Sequence, residues 1–183
     1  MSLEKRVAFF VEKHVDRTKP MLLGLSGGPD SICLLHLLLE LKLDLHIVHV
    51  DHAWRPESCD EALQLEALAA TLNLPFHTTR LDPSTFTGNL EDQSRSARLQ
   101  FFSQIQKKVN AQGVMLAHHQ GDQSETVLKR FLEGVKIPYL SGIRPVSTWG
   151  PLCLLRPFID STKDEIYVWL KEKNISFFVD PTN

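Results

Sequence analysis

The first apolar run of the chain, Met21 to Leu25, empties into Ser26-Gly27-Gly28-Pro29-Asp30-Ser31, and a second apolar segment, Ile32 to Leu41, follows at once. That order predicts a buried strand, a tight loop and a buried helix. Two adjacent glycines let the backbone take φ > 0 and approach a ligand with no Cβ in the way. The hydroxyls of Ser26 and Ser31 and the N–H groups at the helix start are donors, and the helix dipole favours negative charge there. A phosphate or pyrophosphate is the guest such a loop suits. Two other phosphate loops are excluded, because the chain has neither GxxxxGK(S/T) nor GxGxxG.

The flanking sequence supplies walls for this loop. Val7, Phe10, Val11, His14 and Val15 recur at helical spacing and predict an amphipathic helix over about residues 3–16, with His14 in its core stripe. Further strands are expected at 45–50, 76–81, 114–117 and 153–158, with a short final one at 175–179. Ser58 and Glu61 form a capping box for a helix whose inner face carries Leu65, Leu68, Ala69 and Leu72. Residues 82–89 read as a surface loop, and a helix spans about 91–112. A helix after Gly121 is expected to turn Val127, Leu128, Phe131, Leu132 and Val135 inward. Ser161 and Asp164 are expected to cap a last helix that buries Ile166, Trp169 and Leu170.

Strands alternating with helices imply right-handed βαβ crossovers around a mostly parallel sheet. The expected fold is a single α/β, Rossmann-like domain over residues 1–183, with five strands flanked by helices. Ligands in such sheets sit beyond the carboxyl ends of the strands. The distinctive polar residues fall there: Ser26 to Gly28 after the first strand, His49 to His52 after the second, His118-His119 after the fourth, and Arg156 after the fifth.

Composition narrows the class. With 43% hydrophobic and 23% charged residues, the 183-residue chain has the make-up of an ordinary globular domain. No apolar run reaches the ~20 residues that span a bilayer. Cys33, Cys59 and Cys153 are odd in number and lack CxxC spacing, which argues for a reducing, cytoplasmic setting and against a zinc or iron–sulfur site. The net charge of −2 gives no general attraction to nucleic acid.

Three constellations carry chemistry. Arg98 projects on the same side of its helix as Phe101, Phe102, Ile105 and Val109, and a guanidinium in an apolar stripe needs an anion. That anion is either Glu91, two turns back, or a phosphate or carboxylate ligand. Asp122 and Glu125 share the side of their helix opposite Val127 and Leu128. They can hold Mg²⁺, grip an ammonium group, or simply favour the helix dipole. His49 and Asp51 suit contacts to adenine or ribose better than a metal, since no cysteine accompanies them.

The hexapeptide Ser26 to Ser31 resembles the pyrophosphate-binding SGGxDS loop of the N-type ATP pyrophosphatases. Four blocks in order are similar to the tRNA(Ile)-lysidine synthase family: that loop; His49 to Arg55; Glu91 to Phe102 with its Ala97-Arg98; and His118 to Leu128. Leu155-Arg156-Pro157 and the terminal Asp180 to Asn183 also look like that family. The resemblance implies the adenine nucleotide alpha hydrolase-like fold and a cytoplasmic ligase. The family adenylates the wobble cytidine of isoleucine tRNA with ATP, and the amine of L-lysine then displaces AMP to form lysidine.

Carried over by position, Ser26, Gly27, Gly28, Pro29, Asp30 and Ser31 would cradle pyrophosphate, and Asp30 would help place Mg²⁺. Arg98 and His118 would stabilise the reacting phosphate, His49 and Asp51 would contact the nucleotide, and Asp122 and Glu125 would receive the lysine ammonium. The implied partners are ATP, L-lysine and the anticodon loop of isoleucine tRNA; a homodimer is compatible, and no membrane is involved. The sequence departs from the family at Gly121, where a first aspartate usually precedes Asp122. It also stops at Asn183, so it is expected to be the catalytic domain without the family's tRNA-binding segments. Another ATP pyrophosphatase, such as a tRNA thiolase or an amidotransferase-type synthetase, is the alternative, although thiolases generally need paired cysteines. A non-catalytic nucleotide-binding module is the third reading.

Overall fold

Backbone hydrogen bonds set β1 (Met21–Gly24) in parallel between β2 (Leu45–Asp51) and β4 (Val114–Met115). The computed structural model describes residues 1–54, 58–132, 134 and 142–178. On one side the sheet continues from β2 to β3 (Phe76–Arg80), also in parallel. On the other it continues from β4 to β6 (Leu152–Leu155) and ends with β5 (Val146–Trp149), which pairs antiparallel to β6. The strand order is therefore β3-β2-β1-β4-β6-β5.

Parallel neighbours need crossovers, and these are helical. The helices α2 (Pro29–Glu40) and α3 (Ser58–Thr71) step the chain from β1 to β2 to β3. Then α4 (Leu90–Val109) returns it to the far side of β1. The direction of winding reverses between β1 and β4, and the loops leaving their carboxyl ends diverge there to open a crevice.

The alternation of side chains along each strand divides the core in two. Met21, Leu23, Leu25, Ile47 and Met115 face a layer containing α1 (Leu3–His14), α2 and α6 (Lys163–Glu172). Leu22, Val48, Val50, Val114 and Leu116 face the opposite way, against Leu99, Phe102 and Ile105 of α4. Ile32, Cys33, Leu34, Leu35, Leu37 and Leu38 are all buried, so α2 is apolar on nearly every side and sits inside the molecule. Each such leucine contributes about 1.5–3 kcal/mol through burial.

Several expectations are corrected. The sheet has six strands rather than five: Val146 to Trp149 forms an edge strand, turned into β6 through Gly150 at φ +54°. Residues 175–178 are not a strand, and Val179 lies outside the described residues, as does Val135. His14 is exposed, because the buried row Leu3, Val7, Val11 advances by four and passes His14 by. Its ring instead lies 4.7 Å from that of Phe10. The cap of α6 is Thr162 with Glu165, one residue later than expected, while Ser161 is buried beneath it.

The largest correction concerns α5 (Gln120–Leu132). It buries none of its residues, and Leu128, Phe131 and Leu132 are 58%, 64% and 75% exposed. Its polar side turns to the crevice, so its apolar stripe points away from the core. Leu34→Ala should therefore cost ~2–5 kcal/mol of unfolding free energy, and Leu128→Ala less than ~0.5. Urea denaturation of the two variants measures this, and equal losses would place α5 in the core after all.

Candidate active site

The crevice holds a cavity of about 410 Å³. Ser26, Asp30 and Ser31 line it from the loop after β1, His49 and Asp51 from β2, Arg98 from α4, and His118 and Asp122 from the segment after β4. Eight residues singled out in the sequence thus converge on one space. Glu125 borders two adjoining cavities, one shared with Arg98 and Asp122 and one with Asp30. Gly27, Gly28 and Pro29 shape the loop without lining the main cavity.

The loop is stitched by Ser31. Its buried Oγ accepts N–H bonds from Ser26 (3.2 Å) and Gly27 (3.1 Å) and donates to the Gly28 carbonyl (3.0 Å). Ser26 Oγ also donates to Ser31 Oγ at 3.1 Å, so the Ser31 hydroxyl organises the turn. Gly27 has φ +86°, and a Cβ there would overlap the Phe178 ring. The Phe178 N–H also donates to the Gly27 carbonyl at 3.0 Å. Gly28 is the N-cap of α2 and offers no side chain to its first turn, which leaves that helix end to an anion.

Two residues from β2 serve the scaffold as well as the cavity. His49 Nδ1 lies 2.8 Å from the Leu25 carbonyl; a carbonyl only accepts, so the nitrogen carries the proton. Asp51 accepts from the Ala53 N–H at 2.8 Å and approaches Arg80, its register partner on β3, at 3.3 Å. Burial pushes the Asp51 carboxyl upward, but the Ser58 hydroxyl, the Ala53 N–H and Arg80 together hold it below the usual range.

The segment after β4 carries a capping arrangement that sequence reasoning passed over. Asp122 Oδ2 accepts from the His119 N–H at 2.7 Å, and the Gly121 N–H donates to His119 Nδ1 at 2.9 Å. The His119 ring folds back between two carboxylates, 3.9 Å from Asp30 and 3.8 Å from Asp122. Gly121 makes room for this, since a Cβ would come within 2.6 Å of the ring. Asp30 Oδ1 is buried without a partner among the described residues. Burial raises the Asp30 pKa, His119 opposes that and Asp122 adds to it.

Cations crowd the opposite wall. Arg98 is largely buried and its Nε has no hydrogen-bond partner among the described residues. Glu91, one of the two counter-charges the sequence left open for it, pairs with Lys129 at 3.0 Å instead. A second arginine, Arg156, is 4% exposed and donates from Nε to His118 Nδ1 at 3.2 Å. Its signal in the sequence is akin to that of Arg98: a guanidinium set among apolar residues, here Leu154, Leu155 and Phe158. His52 and Trp54, stacked at 4.9 Å, also border the cavity; Arg55 lies outside the described residues.

Burial first, and Arg156 second, push His118 from 6.5 down to about 4. In the unfolded chain the ring returns to its ordinary value. Its contribution to stability is thus complete above pH 6.5 and is lost as the pH falls toward about 4. The wild type should lose more stability than His118→Asn across that window, read from urea midpoints; parallel losses would contradict a depressed His118.

A family model for the PP-loop domain matches residues 1–183. The chain is 40% identical over 187 residues to a tRNA(Ile)-lysidine synthase of Protochlamydia amoebophila (strain UWE25), covering 100% of this chain and 41% of that one. To the synthase of Solibacter usitatus (strain Ellin6076) it is 44% identical over 164 residues, 87% of this chain and 36% of that one. The chain therefore spans less than half the length of these two curated relatives. Its fold is similar to that of the U34-tRNA thiolase NcsA from Methanococcus maripaludis, with a TM-score of 0.75 at 14% identity over 99% of this chain and 67% of that one. An NH3-dependent NAD synthetase from Campylobacter jejuni gives a TM-score of 0.61 at 21% identity, over 94% and 72% of the two chains. From the glycine loop at the reversal of winding to the full-length match, this chain belongs to the PP-loop domain family.

Proposed function

We propose that this chain carries the ATP-dependent ligation of L-lysine to the wobble cytidine of isoleucine tRNA. The observation that supports this most is the pairing of an anion-ready loop with Arg98, a largely buried cation with no carboxylate partner among the described residues, across one cavity. ATP lies with its pyrophosphate against the loop and the first turn of α2. The cytidine O2 displaces pyrophosphate from the α-phosphorus, and Arg98 meets the charge that develops on the phosphate oxygens. Such transfers depend mainly on positioning and charge stabilisation, which fixed donors in a water-poor site provide. His49 and Asp51 border the nucleotide and are themselves fixed by the sheet.

The second step needs an amine. Asp122 and Glu125 present carboxylates on one side of α5, at the rim shared with Arg98, and suit a lysine ammonium. Displacement of AMP by that amine closes the reaction, with the anticodon loop of the tRNA as acceptor. Mg²⁺ fits the buried Oδ1 of Asp30, a hard oxygen donor with no partner among the described residues; the ion would neutralise phosphate charge there. Sulfur transfer finds no support: Cys33 lies in α2, Cys59 in α3 and Cys153 in β6.

Pyrophosphate release with unmodified isoleucine tRNA, ATP and lysine tests this reading. Arg98→Ala should lower the rate ~10²–10³-fold. ATP binding with no release of pyrophosphate, under any of these substrates, would leave only a nucleotide-binding module. Asp122→Asn retains a cap acceptor, and with Glu125→Gln it should raise the lysine KM ~10-fold or more while ATP affinity stays within ~2-fold. Equal loss of ATP and lysine binding would assign these acids to the metal instead.

A further inference from the structure

We propose that Arg156 is a positioning residue, which holds His118 in the tautomer that leaves Nε2–H free as a neutral hydrogen-bond donor at the nucleotide site. The inference rests on the reading of His118 as a group of that site. Two contacts orient the guanidinium, and a third holds the backbone that carries it. Nη1 donates to the Arg144 carbonyl and to Ser147 Oγ, each at 2.9 Å, and the main-chain N–H of Arg156 donates to the Pro145 carbonyl at 2.9 Å. The antiparallel edge strand thus supplies the seat for an arginine that begins where β6 ends.

Held in this way, Arg156 Nε reaches His118 Nδ1 at 3.2 Å. A guanidinium has donors and no acceptor, so Nδ1 must present its lone pair. A neutral ring then carries its proton on Nε2, which has no partner among the described residues. The charged groups acting on the ring are Arg156 at the end of β6, Arg98 and Arg95 on α4, and Asp122 on α5. Three cations against one carboxylate, in a largely buried place, disfavour an imidazolium. His118 therefore offers a phosphate oxygen or the cytidine a directed hydrogen bond, and the charge comes from the arginines.

Long-range ¹H–¹⁵N correlation of histidine-labelled protein, full chain, with and without ATP, tests the assignment. His118 should show the Nε2–H tautomer and no titration between about pH 5.5 and 8. Arg156→Met should give a mixture of tautomers, a midpoint moved up toward 6.5, and a pyrophosphate-release rate with a new acid limb. The rate should fall ~10–100-fold at neutral pH while ATP affinity stays within ~2-fold. Should that variant fail to fold, Ser147→Ala removes one anchor and should raise the midpoint part of the way.

A wild-type ring protonated on Nδ1, or one titrating near 6.5, overturns the proposal whatever the variants do. So does an Arg156→Met protein whose tautomer and midpoint are unchanged. His118→Ala with full pyrophosphate release would instead remove His118 from the reaction, leaving the tautomer result standing.

Discussion

The site depends on β1 being a parallel strand with neighbours on both sides. Such a strand must deliver its chain to a crossover at its carboxyl end, and here that crossover begins with the glycine loop. Because β4 pairs on the other side of β1 and its own exit diverges, the loop and the His118 segment face one another across open space. The apolar layers on the two faces then determine how far apart those walls stand. Phe102 and Leu99 bring α4 against the sheet, and Arg98, one residue before Leu99, is carried to the rim by the same packing.

Electrostatics at this rim is unbalanced by design of the fold rather than by net charge, which is only −2 for the chain. Arg98 and Arg156 are both withdrawn from water, and burial lowers the pKa of each. Three nearby acids are engaged: Glu91 with Lys129, Asp51 with Arg80, Asp122 with the start of α5. A desolvated guanidinium lacking a counter-charge is costly, and an arriving polyanion relieves that cost. The arrangement accordingly favours a guest with several phosphate charges over a neutral one.

Much of this was legible in the chain itself. The loop, the alternation of strands and helices, and the oddity of Arg98 all have local signatures: small residues, a change of period, a charge in an apolar stripe. What escaped had none. Residues 142–151 combine Gly142, Pro145, Gly150 and Pro151, which punctuate a loop, and only pairing with β6 turns Val146 to Trp149 into a strand. The amphipathic pattern of α5 separates two faces but does not say which one meets the protein. That was decided by the polar side, which the crevice claims through Asp122 and Glu125. Arg156 was visible as a residue after a strand, yet its contact with His118 links positions 38 apart in sequence and exists only in the fold.

The contact between Phe178 and Gly27 has a thermodynamic consequence. The ring and its N–H fasten the outside of the glycine turn, while Ser31 fastens the inside. The entropy lost in ordering this turn is therefore met when the chain folds and is not charged again when a nucleotide docks. A flexible glycine pair would subtract that loss from every association; a clamped one leaves more of the intrinsic attraction between amides and phosphate to appear as affinity.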